Sequence, residues 1–167
     1  MQRPGIKIQP EPIDRIIEVI GLIGLILLIG IPLLFFSEIP DTIPRHFGVD
    51  GTPDRFANKS QIWVLPIIGL VLYVGLLWTS KYPHLFNFPQ KITEQNANKQ
   101  YKQAVRGMRL IKVVLVWVLA YITYSTIQTA QGNQNGLGNY LIPVLIITVV
   151  GMLGYSLLQS TKKEGGK

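Results

Sequence analysis

Apolar residues of this chain are gathered in four separated runs. The runs lie at about 16–36, 62–80, 113–130 and 140–158. A helix that crosses the hydrocarbon core of a bilayer needs about 20 mostly apolar residues. The first, second and fourth runs reach that length, and the third reaches it only when the residues as far as Ala130 are included. The pattern therefore predicts four transmembrane helices.

The polar segments between the runs complete the predicted architecture. We predict an all-α membrane protein with four transmembrane helices, a structured extracytoplasmic first loop and a basic, partly helical cytoplasmic second loop. In this prediction, residues 1–15 form an irregular cytoplasmic tail, residues 16–159 a single membrane domain, and residues 160–167 a disordered cytoplasmic tail. The third loop, at 129–139, is short and uncharged, and is expected to be a simple turn.

Composition agrees with a membrane protein and excludes some chemistry. Charged residues make up only 15% of the chain, against about 25% in soluble domains. The absence of cysteine excludes disulfides, thiolate nucleophiles and zinc–thiolate sites. The first apolar run is longer than the roughly 7–15 residues of a signal peptide's apolar region. We therefore expect it to be retained as the first span.

The distribution of basic residues predicts the orientation. Thirteen of the sixteen Lys and Arg residues lie in the two terminal tails and in the second loop with its helix entry, and three lie in the first loop. Since basic residues favour the cytoplasmic side, both termini are predicted to be cytoplasmic in a multi-pass protein of the cell (inner) membrane. The lipid bilayer is thus a partner. No nucleic acid is predicted as a partner, because there is no compact basic domain.

Ionisable residues are nearly absent from the predicted spans, which argues against transport by this chain alone. Glu18 and Lys112 lie near span ends, where they are expected to reach the interface. The first loop holds the densest group of reactive side chains, namely His46, Asp50 and Asp54.

An imidazole and two carboxylates could bind a divalent cation or transfer a proton. We favour the alternative, in which Asp50 and Asp54 close turns and His46 hydrogen-bonds or packs within the loop, because no second histidine or metal-ligand motif is nearby. No catalytic residue, metal or cofactor is therefore predicted. Ser60 is well placed to N-cap the second span.

The second loop combines an aromatic stretch with a predicted helix. The stretch either anchors the loop at the membrane interface, which we favour, or binds a partner. Its candidate residues are Tyr82, Pro83, His84, Phe86, Asn87 and Phe88. From Thr93 onward, apolar residues recur at helical spacing, and Thr93 is a suitable N-cap. This helix is predicted to run directly into the third span.

These loops carry a family resemblance. The first contains Ile39-Pro40-x-x-Ile43-Pro44-x-His46-Phe47-x-x-x-Gly51-x-Pro53-Asp54, followed by Trp63-x-x-Pro66. This motif resembles a bacterial integral-membrane family of unknown function, whose domain also forms the N-terminal part of SdpI-type toxin-immunity proteins. The stretch Tyr82-Pro-His-Leu-Phe-Asn-Phe-Pro is similar to a stand-alone branch of that family. The resemblance implies a helical membrane protein in which the motif positions are Pro44, His46, Gly51, Pro53, Asp54, Trp63 and Pro66.

Three classes of function are compatible with these features. Our leading hypothesis is a non-enzymatic membrane protein whose outer loop recognises a peptide toxin, a lipid or another membrane protein. The second class is a small membrane enzyme or metal-binding protein that uses the His/Asp group of the first loop. The third is a structural subunit of a larger complex, assembled through the glycine-bearing spans.

Overall fold

Four helices and a β-hairpin make up the part of the chain described by the structure, a computed structural model. It describes residues 3–161, without the side chains of 152–153 and 155–161. The helices are α1 (Pro12–Phe35), α2 (Val64–Thr79), α3 (Glu94–Ala130) and α4 (Leu141–Thr161). Strands β1 (Thr42–Phe47) and β2 (Pro53–Asn58) lie between α1 and α2, and 3₁₀ turns occur at Lys59–Trp63 and Pro83–Leu85.

Three of these helices are long and apolar enough to cross a membrane. They are α1, α3 and the continuous segment Lys59–Thr79 formed by the 3₁₀ turn and α2. Their outward-facing side chains are apolar, as at Ile26, Leu33 and Val71, which suits contact with lipid and not with water. The helical membrane architecture is confirmed to this extent. In α4, the continuous part whose side chains are described is the shorter apolar segment Leu141–Gly151, so the fourth span stays a prediction.

Helix α1 begins four residues earlier than the sequence pattern predicted. Pro12 occupies its first turn, where the missing backbone N–H costs nothing, and the Glu11 N–H donates to Asp14 Oδ2 at 2.8 Å. The predicted irregular tail therefore ends at Glu11 and not at residue 15. The predicted disordered tail at 160–167 lies outside the described residues, apart from the backbone of α4 as far as Thr161.

The two predicted N-caps had different outcomes. Thr93 caps α3, with its side-chain oxygen accepting from the Asn96 N–H, and α3 continues without interruption into the third span as predicted. The prediction for Ser60 was wrong. The helical segment starts with a 3₁₀ turn at Lys59, so the cap position moves back to Asn58, whose side chain accepts from the Ser60 N–H at 3.0 Å.

The core forms where α1 and α2 pack against α3. One cluster of buried side chains lies midway along the helices and contains Leu25, Leu28, Tyr73, Val116 and Ala120. The helices approach closely here, since a Cβ on Gly69 would lie 2.3 Å from Leu28 Cδ2. Small residues permit such contacts between helices in lipid. At least one glycine of the apolar helices, Gly69, therefore serves helix packing within this chain.

At one end of the bundle, α1 and α3 are joined by a set of ion pairs that we call the ladder. Three acidic residues at helical spacing, on the N-cap and first turns of α1, face four basic residues at helical spacing on α3. Its members are Glu11, Asp14, Glu18, Lys102, Arg106, Arg109 and Lys112. We call this end of the molecule the ladder end, and the opposite end the hairpin end.

The centre of the ladder is withdrawn from solvent. Asp14 is fully buried and lies 2.8 Å from Arg106 Nε and 3.2 Å from Arg109 Nη1. Lys112 is 1% exposed, pairs with Glu18 and lies 4.5 Å above the ring of Tyr73. Glu18 and Lys112 thus do not extend separately to the interface as the sequence suggested. A buried charge is tolerated when it is paired and hydrogen-bonded, and each of these groups has such a partner.

We expect Asp14→Asn to destabilise the fold strongly, because it leaves Arg106 and Arg109 facing a neutral amide. The expected loss is about 3 kcal/mol, at the low end for breaking a buried pair, since both arginines keep some access to solvent. Denaturant unfolding in detergent micelles, followed by circular dichroism, measures this loss. The matched control is Asp41→Asn, which removes an exposed carboxylate 3.1 Å from Lys59 and should cost less than about 1 kcal/mol. Equal losses of unfolding free energy in the two variants would contradict the conclusion that Asp14 stabilises the fold as a buried, paired charge.

The ion pairs of Glu11, at the outer end of the ladder, should make the stability of the fold depend on pH in the acid range. Hydrogen bonds from Lys102 and Arg106 hold the pKa of the Glu11 carboxyl below its ordinary value of 4.5. A carboxyl with a lowered folded-state pKa stabilises the protein above its ordinary pKa, and this stabilisation is lost as the pH falls through the folded-state pKa. The unfolding temperature should therefore fall more steeply between about pH 5 and pH 3 in the natural protein than in Glu11→Gln. Glu94→Gln, which removes an acid that pairs with no described residue, should keep the natural slope.

Candidate functional site

The motif of the first loop folds into an antiparallel β-hairpin. Thr42 pairs with Asn58 and Ile43 with Ala57, and the register shifts between Pro44 and His46 and again between His46 and Phe47. The sequence indicated turns and excluded a helix here, but it did not predict strands. A two-stranded hairpin accepts proline because each strand has an edge without a ladder partner.

The turn of the hairpin is closed by Asp50 and Gly51. The Asp50 carboxylate accepts from the Thr52 N–H at 3.1 Å and from the Thr52 hydroxyl at 2.8 Å. These hydrogen bonds lower the pKa of Asp50. Gly51 has φ +79°, a conformation that glycine adopts without steric cost. Asp50 therefore has the turn-closing role that we favoured for it.

His46 and Asp54 form a pair across the hairpin. Nδ1 of His46 lies 2.7 Å from Oδ1 of Asp54, and both side chains are about half exposed or more, at 60% and 48%. Asp54 thus bonds to the imidazole and does not close a turn. Because Asp50 is engaged by Thr52, the three side chains do not converge. Within the described part of the chain, no three His, Cys, Asp or Glu side chains are placed to hold a metal ion.

The tip of the hairpin is held by the loop that follows α3. The Leu137 N–H donates to the Gly51 carbonyl at 2.8 Å. Gly136 has φ +76°, and a Cβ at this position would lie 2.0 Å from the Gly51 oxygen. The Tyr121 hydroxyl holds the loop by donating to the Leu137 carbonyl at 2.7 Å. The sequence suggested a simple turn here, and nothing in it indicated that Gly136 would contact Gly51, which lies 85 positions earlier in the chain.

The base of the hairpin rests on an apolar cluster. Ile39, Ile43, Ile62 and Ile127 are buried together at the hairpin end. Two further motif residues lie at this junction. Trp63 packs against the cluster, with its ring 6.0 Å from that of Phe36, and Pro66 is buried in the first turn of α2. The hairpin is thus fixed at both its base and its tip.

A crevice of about 640 Å³ lies between the hairpin, α2 and α3. Its strand residues all belong to β1, where Arg45 and His46 supply polar groups beside the buried Pro44. The helices contribute Leu65 and Ile122. The crevice therefore combines apolar walls with a cation and an imidazole at its rim, which is the usual composition of a binding site.

The aromatic stretch of the second loop lies at the opposite end of α2. Phe88 packs 5.5 Å from the ring of the buried Tyr101 in α3. Arg3 donates to the carbonyl of His84 at 3.2 Å and to that of Phe86, and its guanidinium lies 5.8 Å from the Phe88 ring. These contacts attach the loop to α3 and to the N-terminal tail. The aromatic stretch therefore lies at the ladder end of the molecule, away from the hairpin.

Comparison with known proteins connects the hairpin to a family. Residues 23–70 match the model of a domain of unknown function, DUF1648. This segment contains the second half of α1, the entire hairpin and the first turns of α2. An uncharacterized protein of Archaeoglobus fulgidus is 25% identical over 158 aligned residues, which cover 84% of this chain and 86% of the relative. No solved structure matches the chain. These similarities support a relation between this chain and the domain family, to which no activity is assigned.

We expect Gly136→Ala to release the hairpin tip. The left-handed conformation should cost about 1–2 kcal/mol with any Cβ, and the clash with the Gly51 oxygen should in addition break the hydrogen bond from Leu137. Loss of hydrogen-exchange protection at the Leu137 amide, measured by NMR, reports this break. Gly132→Ala is the matched control, because Gly132 has φ +77° with nothing within 4 Å. It should lose stability but keep the Leu137 protection, and loss of protection in both variants would contradict the docking.

Proposed function

We propose that this protein is a non-enzymatic integral membrane protein that binds an extracytoplasmic peptide in the crevice beneath its hairpin. The observation that carries the proposal is the crevice itself. It is bounded by apolar side chains of the helices, and it has Arg45 and His46 at its rim. Such a site suits a ligand with an apolar part and hydrogen-bonding groups.

The way the hairpin is held supports a binding role. Its base is buried against Ile62 and Ile127, and its tip is hydrogen-bonded to Leu137. A site that is already formed loses less conformational entropy when a ligand binds. The fixed hairpin therefore favours recognition over a purely connecting role for this loop.

The backbone of the hairpin favours a peptide as the ligand. In a two-stranded sheet, each strand has one edge with unpaired N–H and C=O groups, and an extended peptide can bind by adding a strand. The strand residues that line the crevice belong to β1, so a peptide in the crevice would lie beside that strand. The resemblance of the hairpin motif to the N-terminal part of SdpI-type immunity proteins favours a peptide toxin.

The proposed orientation follows from the charges. In this proposal the hairpin end is extracytoplasmic, and the ladder end faces the cytoplasm of a bacterial inner membrane, because most of the chain's basic residues belong to the segments predicted to be cytoplasmic. Both termini are cytoplasmic in the same proposal. The lipid-facing helices and the extracytoplasmic crevice then make the protein accessible to peptides that arrive from outside the cell.

Site-specific photo-crosslinking in cells tests the proposal. A photoreactive amino acid at Gln61, which lines the crevice, should form an adduct with a peptide that mass spectrometry identifies. The same amino acid at Phe56, an exposed hairpin position outside the crevice lining, is the control. Adduct at Gln61 and none at Phe56 supports peptide binding. Equal labelling, or a lipid adduct at Gln61, would overturn it.

The rim residues should determine the affinity. We expect Arg45→Ala/His46→Ala to reduce the Gln61 adduct at least tenfold, since hydrogen bonds to charged groups contribute about 1.5–3 kcal/mol. Arg55→Ala removes a positive charge from β2, outside the crevice lining, and should leave the adduct nearly unchanged. A deletion strain fully rescued by a His46→Ala/Asp54→Ala variant would count against any recognition role of the hairpin.

A further inference from the structure

A second cavity, at the ladder end, has the character of an anion site. It has a volume of about 450 Å³ and lies between the N-terminal tail, the end of α2, α1 and α3. Its basic lining residues are Lys7, Lys81 and Arg109, and its one acidic lining residue is Glu18. We call it the ladder-end cavity.

Two of its cations are available to a ligand. Lys7 and Lys81 are exposed, and neither forms an ion pair with any residue in the described part of the chain. Glu18 is already engaged, because its carboxylate accepts from Arg109 at 3.1 Å and from Lys112. The ladder beside the cavity has four basic groups for three acidic ones. The local field therefore favours an anion.

The remaining walls of the cavity are largely apolar. Ile8, Leu77, Pro83 and Val105 line it together with the cations. An anion that occupied only the charged part would leave these apolar walls facing water. A ligand with both an anionic group and hydrocarbon would cover them, and burial of apolar surface is favourable.

The position of the cavity on the helices also indicates an amphiphile. Leu77 is in the last turn of a span-length apolar segment, and Lys81 follows two residues after its end. Trp78 is 59% exposed and its ring lies 5.3 Å from that of Tyr82, in an edge-to-face arrangement. Exposed Trp and Tyr collect at the boundary between hydrocarbon and water. The cavity therefore lies at the depth of lipid headgroups.

We propose that the ladder-end cavity binds the phosphate of an anionic phospholipid. Lys7 and Lys81 contact the phosphate, and the acyl chains leave along the apolar side of α2 at Leu77. A free phosphate ion has the same anionic chemistry but cannot use the apolar walls. Because Lys7 belongs to the N-terminal tail and Lys81 to the second loop, a bound lipid connects these two segments.

Native mass spectrometry of the full chain, with phosphatidylglycerol and phosphatidylcholine of matched acyl chains, tests the proposal. The natural protein should retain one phosphatidylglycerol in preference to phosphatidylcholine. Lys7→Gln/Lys81→Gln should weaken phosphatidylglycerol binding roughly 30-fold, which is about 2 kcal/mol for two basic contacts. Lys7→Arg/Lys81→Arg should restore it. Both positions are exposed, so an unchanged unfolding temperature is expected to show that the variants are folded.

The matched control distinguishes a site from general surface attraction. Arg15→Gln/Lys91→Gln removes the same charge from exposed positions of the same end, outside the cavity lining. This variant should keep the preference for phosphatidylglycerol. Equal weakening in the two double variants would overturn the cavity. Displacement of the lipid by inorganic phosphate would overturn the lipid assignment and leave a soluble phosphate as the ligand.

Discussion

The ion pairs between α1 and α3 determine how the rest of the molecule is arranged. These two helices run in the same direction, so no short connection sets their relative position. The pairs of Glu11 with Lys102 and of Glu18 with Lys112 align the segment from Glu11 to Glu18 with the segment of α3 from Lys102 to Lys112. A shift by one helical turn in either direction would separate Glu18 from Lys112, which is 1% exposed, and a buried charge without its partner is strongly destabilising. The ladder thus selects one axial register.

That register decides what happens at the hairpin end. With α1 and α3 aligned, Phe35 and Ile39 arrive beside Ile127, where they close the apolar cluster under β1. The loop after α3 then emerges at the height of the hairpin turn, where the backbone of Gly136 reaches that of Gly51. The crevice between hairpin and helices is a consequence of this alignment. Charge pairing at one end of the bundle and apolar packing at the other thus specify the same arrangement.

Features determined locally could be predicted from the sequence, and those made by distant residues could not. The apolar runs that form α1, α2 and α3 are continuous, and the Thr93 cap and the Asp50–Gly51 turn depend on residues a few positions apart. The two strands of the hairpin were not predicted, because prolines interrupt the alternation of apolar and polar residues that is typical of strands. The ladder joins residues about 90 positions apart along the chain, and its arginines were interpreted only as indicators of orientation. The pairing of Asp54 with His46, and not with a turn amide, likewise depends on the strand register.

The ladder also explains how an anion site could coexist with so many ion pairs. Arg109 lines the ladder-end cavity, but its guanidinium is shared between Asp14 and Glu18. A phosphate that recruited Arg109 would have to compete with two carboxylates, one of them buried. Lys7 and Lys81 face no such competition, so they can supply the binding energy while the ladder keeps its register. The separation of structural from available cations allows the same charged end to hold the helices together and to bind a lipid.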